Sequence, residues 1–161
     1  MINKKQKRSN FKINIYWMIV ALYLIMIFYF SSQDGAKSHD VSAGLLQYIL
    51  MFASFLPVKL LRFFTGVCKS YEFFLRKAAH FTEYLILALL FYKAMVASSV
   101  NVKKSFAATF VFCFLYAISD EVHQIFVPGR AFAIRDILID TLGAALGLGI
   151  IAFNKVIRKN N

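Results

Sequence analysis

Ile13–Phe30 reads INIYWMIVALYLIMIFYF, eighteen residues in which Asn14 is the only plainly polar side chain. A helix of about 20 apolar residues crosses a hydrocarbon layer about 30 Å thick, satisfying its own backbone hydrogen bonds on the way. This run is therefore expected to span a membrane. Lys4, Lys5, Lys7, Arg8 and Lys12 precede it, as they would in a secretory leader. The small-x-small triplet Ala36-Lys37-Ser38 lies too far beyond the apolar stretch for efficient cleavage, so a retained anchor is expected.

Working outward, the rest of the chain repeats the pattern. Ala78–Ala97, Phe106–Phe126 and Ile137–Phe153 are further apolar runs of spanning length. Val41–Leu56 is apolar too, but Gly44, Gln47 and Ser54 interrupt it and Pro57 ends it. It is expected to lie in the interface or re-enter, as part of a connecting segment 41–68. The expected fold is an all-α membrane protein, a bundle of four transmembrane helices with an interfacial or re-entrant helix between the first and second. Residues 1–161 form one domain, with residues 1–12 as a basic tail.

Composition agrees. The 161 residues are 60% hydrophobic, with 18 Phe and 8 Tyr, too apolar for a soluble globule of this size. The net charge of +11 comes from basic residues flanking apolar runs, not from an aromatic-interleaved stripe, so no nucleic-acid partner is expected. Cys68, expected in the loop, and Cys113, inside a span, suggest no disulfide.

Orientation follows from the basic residues. The N-terminal cluster, Lys103, Lys104, Lys155, Arg158 and Lys159 share one side that contains no acid. The opposite loops mix their basic residues with acids, so both termini are expected in the cytoplasm of a bacterial cell, in a multi-pass inner-membrane protein.

In that topology every acidic residue and all three histidines fall in the outer half. Arg76, His80, Glu83 and Tyr84 follow i, i+4, i+7, i+8 spacing, one face of a helix. Asp120, His123 and Gln124 share a face of the third span with Glu121 at its edge, and Asp136 and Asp140 lead into Gly143 and Gly147 on the fourth. A carboxylate facing lipid is costly, so these faces are expected to turn toward one another. Each pair alone could simply tie helices together. Their number at one level points to a site.

Three functions suit it. The first is binding of an anionic membrane lipid or lipid-linked envelope precursor, with Gln33, Arg76, Lys77, Tyr84, Gln124, Arg130, Asp136 and Asp140 as binding residues; the arginines would fork phosphate. The second is an enzyme acting on a phosphate- or sugar-bearing lipid, with His80, Glu83, Asp120, Glu121 and His123 as catalytic residues. The third is an ion-coupled transporter, disfavoured because the carboxylates lie on one side. A cation held by His80, Glu83, Asp120 and Asp136 is the alternative within the enzyme class. No zinc spacing is present, so neither a metal nor another cofactor is expected. Gly143 and Gly147 form a small-xxx-small face that could also pair two copies of the chain.

The motifs at these positions resemble the VanZ-like family of bacterial membrane proteins. They are Phe30-Ser31-Ser32-Gln33, Arg76-Lys77-Ala78-Ala79-His80-Phe81-Thr82-Glu83-Tyr84, Ser119-Asp120-Glu121-Val122-His123-Gln124, Pro128-Gly129-Arg130 and Asp136-Ile137-Leu138-Ile139-Asp140-Thr141-Leu142-Gly143. The resemblance runs from about Trp17 to about Ile151. It implies an envelope role linked to resistance to lipoglycopeptides such as teicoplanin, without fixing a reaction.

Overall fold

The computed structural model describes residues 4–33 and 58–160, with side chains at 10–33 and 76–158. It contains α1 (Lys4–Ser31), α2 (Val58–Ala97), α3 (Val102–Gln124) and α4 (Ile134–Asn160), with no strand among the described residues. Each helix contains a stretch long and apolar enough to cross a membrane: Asn10–Ser31, Arg76–Ala97, Val102–Gln124 and Ile134–Arg158. The chain is a four-span membrane protein.

The distribution of side chains says which solvent surrounds it. The buried stripe of α3 is Ser105, Thr109, Cys113, Ala117, Asp120, Glu121 and Gln124, small or polar throughout. Its outward face carries Phe110, Val111, Phe114 and Leu115. On α4, Asp136, Asp140, Gly143, Ala144 and Gly147 are buried, while Leu138, Leu142, Leu146, Ile150 and Phe153 are exposed. Apolar residues outside and small or polar ones inside suit lipid, where burying hydrocarbon against hydrocarbon gains little and close packing holds helices together.

Gly143 and Gly147 provide that closeness. A Cβ on Gly143 would lie 2.1 Å from the Phe81 carbonyl oxygen, and one on Gly147 would lie 2.7 Å from that of Leu85. The glycine face is thus filled by α2 of the same chain.

α2 differs most from expectation. The apolar run at 78–97 is only its second half, and Cys68, expected in a loop, lies on the helix. Between Val58 and Ala97 there is no proline and only Gly66 to weaken the helix, so nothing in the sequence stops it. Its 40 residues make about 60 Å of helix, twice the hydrocarbon thickness. The expected interfacial segment 41–68 is therefore helical from Val58 onward. Its first part, with Asp34, His39 and Asp40, lies outside the described residues.

α3 begins at an N-cap: the Asn101 side chain accepts from Lys103 N at 2.9 Å. At the same end of the bundle Trp17 Nε1 donates to Ser98 Oγ at 3.0 Å, and Lys155 of α4 bonds the Tyr92 hydroxyl and sits over the Phe106 ring. The early part of α1 and the late part of α4 thus share one end. The opposite end, where α1 stops and the α2 span begins, carries His80, Glu83, Asp120, Glu121, His123, Asp136 and Asp140.

Candidate functional site

Three helices contribute to the centre of this end. His80 comes from α2, Asp120 from α3 and Asp140 from α4, and one ligand-type atom from each lies within 4.8 Å of the others. The His80 Nδ1 is 3.5 Å from Asp140 Oδ1 but not in hydrogen-bonding geometry. Asp140 is fully buried, His80 and Asp120 nearly so. Asp120 Oδ2 accepts from Gln124 Nε2 at 3.2 Å, one helical turn on, which fixes the carboxylate's direction. Neither oxygen of Asp140 has a hydrogen-bond partner among the described residues, nor does His80 Nδ1. Buried polar atoms are almost always paired, so three orphans facing one another mark the spot.

The helices bring these groups together for reasons already in place. Asp140 lies one turn before Gly143, and His80 directly precedes Phe81, the residue whose carbonyl the glycine face meets. Close packing of α2 on α4 therefore delivers the imidazole to the carboxylate. Tyr84, fully buried one turn beyond His80, leaves its hydroxyl without a partner among the described residues, and its ring centroid is 6.2 Å from that of Tyr116. Glu83 is half-buried and within electrostatic reach of His80, Asp140 and Asp120.

A second layer closes the end of the bundle. Lys77 of α2 pairs with both oxygens of Asp136 in the first turn of α4, where a carboxylate also complements the helix dipole. Glu121 is fully buried; its Oε2 accepts from Ala133 N at 2.7 Å, fixing the start of α4, while Oε1 has no partner among the described residues. The 127–130 loop is a tight turn in which Arg130 N donates to Val127 O at 3.1 Å and Gly129 has φ 72°. Pro128 then Gly129 is the pairing a type II turn requires, since its third residue needs positive φ. The turn aims Arg130 at α1: Nε donates to Gln33 O at 3.0 Å and Nη2 to Phe30 O at 3.4 Å, serving carbonyls left open at the helix end. Burial, with the Arg76 charge adding to it, lowers the Arg130 pKa from its usual value against the pull of Asp120, Glu121 and Asp136. Arg76 is half-buried, and its Nε is buried without a partner among the described residues.

Not every expected residue joins the centre. His123 turns to α1: its Nε2 is 3.1 Å from Ser32 Oγ and its ring centroid 4.5 Å from that of Phe28. That separates it from His80, because residues at 120 and 124 point inward while 123 falls on the flank facing α1. Gln33 Nε2 folds back onto Tyr29 O at 3.2 Å. Asp136, expected in a cation set with His80, Glu83 and Asp120, is occupied by Lys77; Asp140 takes the place beside His80. Tyr23 and Tyr116 sit within apolar runs, yet their hydroxyls donate to Glu83 O at 3.2 Å and Leu24 O at 2.9 Å, fastening α1 to its neighbours. Buried tyrosine hydroxyls need partners, the one signal that could have flagged them.

A family model described as VanZ/LLP1 matches residues 15–156, which reaches all four spans and includes every residue of the site. No curated protein and no solved structure matches the chain.

Proposed function

The chain belongs to the VanZ/LLP1 family, and on that footing we propose that the polar end of the bundle binds the phosphate of an anionic lipid or lipid-linked envelope precursor. The observation that carries this is Arg76: a guanidinium at the start of a membrane span, its Nε buried and without a partner among the described residues, within electrostatic reach of Arg130. Two like charges at this end repel, and a phosphate held by the Arg76 fork would offset both. Arg130 already serves α1 carbonyls, so Arg76 is the residue free to take the ligand. With the basic end in the cytoplasm, this site faces outward in the cell membrane, where holding envelope precursors would protect them from lipoglycopeptides such as teicoplanin.

The test uses full-length chain in nanodiscs of neutral lipid, with phosphatidylglycerol added in steps and retained lipid counted by native mass spectrometry. Saturable retention that falls at least tenfold in Arg76→Ala is expected, together with lost protection against teicoplanin in cells producing that variant. Equal retention by both proteins would reject phosphate binding at Arg76.

A second function rests on one observation, the approach of His80 to buried Asp140. A carboxylate beside an imidazole orients it and raises its basicity, the arrangement of a general base. Turnover of a phosphate- or sugar-bearing lipid by the purified chain, lost in His80→Ala, would favour an enzyme over a binding protein; absence of turnover with binding intact would exclude it.

A further inference from the structure

We propose that His80, Asp120 and Asp140 hold one divalent cation between α2, α3 and α4. Three observations carry this inference, and none depends on what binds Arg76.

The first is the donor set. An imidazole nitrogen and two carboxylates from three helices lie within 4.8 Å of one another, and His80 Nδ1 and Asp140 Oδ1 are 3.5 Å apart. Donors on a tetrahedral ion with bonds of about 2.1 Å stand about 3.4 Å apart. The His80–Asp140 pair already has that separation. The hydrogen bond from Gln124 engages Asp120 Oδ2 and leaves Oδ1 available to the ion.

The second is the orphaned atoms. Both oxygens of Asp140 and Nδ1 of His80 are buried and without hydrogen-bond partners among the described residues. A buried ionised carboxylate needs a counter-charge. Two nearby side-chain cations are directed elsewhere, Lys77 to Asp136 and Arg130 to the carbonyls of Phe30 and Gln33, and Arg76 makes no hydrogen bond to Asp140. A cation at the centre of the triad would satisfy all three atoms at once.

The third is support around the donors. Gln124 orients Asp120, and the glycine contact at Phe81 locks the distance between the helices that carry His80 and Asp140. Donors held by surrounding structure bind more tightly than donors that must be ordered first. A mixed nitrogen–oxygen set suits a borderline ion such as Zn²⁺ or Mn²⁺ better than Ca²⁺, which prefers six or more oxygens. Three protein donors leave at least one coordination position for water or for an oxygen of another molecule.

The experiment uses the full chain in neutral detergent, stripped with chelator and dialysed, without added lipid. Mn²⁺ is titrated and free ion followed by electron paramagnetic resonance; Zn²⁺ is titrated in parallel by calorimetry. One equivalent of either ion per chain is expected. Affinity should fall at least tenfold in Asp140→Asn and in Asp120→Asn, and stay unchanged in His123→Ala, whose imidazole lies against α1. The metal should also raise the thermal midpoint of the native protein but not of Asp140→Asn. Two aspartate variants guard against one failing to fold. Absence of a stoichiometric site in the native protein, or equal affinity in the native protein and both aspartate variants, overturns the proposal. Lipid retention through Arg76 is measured separately, so loss of either function leaves the other standing.

Discussion

Replacing Gly143 by alanine tests how the α2–α4 contact holds the site together. The added Cβ would sit 2.1 Å from the Phe81 carbonyl oxygen and 3.0 Å from its carbonyl carbon. An ordinary carbon–oxygen contact is about 3.3 Å, so the helices must part by roughly 1.2 Å or the backbone must bend. The obstacle is backbone on both sides, with no flexible side-chain tip to move away. Overpacking of this kind costs about 1–3 kcal/mol, offset by up to about 1 kcal/mol because alanine is the better helix former. Gly149→Ala gives the control, since a Cβ there meets nothing within 4 Å and only the propensity gain remains. Reversible unfolding in mixed micelles, followed by circular dichroism, should show Gly143→Ala less stable than the native chain by about 1–2 kcal/mol, and Gly149→Ala equal or more stable. Because His80 and Asp140 flank the contact, Gly143→Ala should also weaken Mn²⁺ binding. Equal stability of the two alanine variants would mean that α2 and α4 do not meet at Gly143, and the placement of His80 beside Asp140 would fall with it.

Other outcomes follow from the layer around the centre. Lys77→Ala leaves the Asp136 carboxylate largely buried without its cation, and should cost about 1–3 kcal/mol, part of the buried-pair penalty because both side chains retain some water; chemical unfolding measures it, and no loss would show the pair to be incidental. Gly129→Ala forces a Cβ into φ 72° and should cost about 1 kcal/mol or more. Its thermal midpoint should fall together with that of Arg130→Ala, and the double variant should fall less than the sum, because the turn exists to aim Arg130.

Legibility differed between parts of the molecule. Spans were plain because hydrocarbon demands long apolar runs, and Ile13–Phe30 holds no charged residue and Ile137–Phe153 only Asp140. The inward turn of Asp120 and Asp140 was legible for the same reason: lipid penalises the outward one. The extent of α2 was not, since 58–77 is amphiphilic and charged and no local signal distinguishes a continuing helix from an interfacial one. The grouping of His80 with Asp120 and Asp140 was only partly visible. Metal spacings are read along one chain segment, and these donors arrive on three helices whose rotation depends on where Gly143 meets Phe81. His123 misled because it neighbours Gln124 and Asp120 in sequence, while one residue of helix turns it about 100° away, toward Phe28 and Ser32.

Thermodynamic coupling between His80 and Asp140 probes the convergence of the polar faces most directly. Unfolding free energies would be measured for the native chain, His80→Ala, Asp140→Ala and the double variant under metal-free conditions. Side chains 3.5 Å apart should give a coupling of about 0.5–3 kcal/mol, the double variant losing less than the sum of the singles. Strict additivity would place the two residues out of contact and contradict a shared interior site.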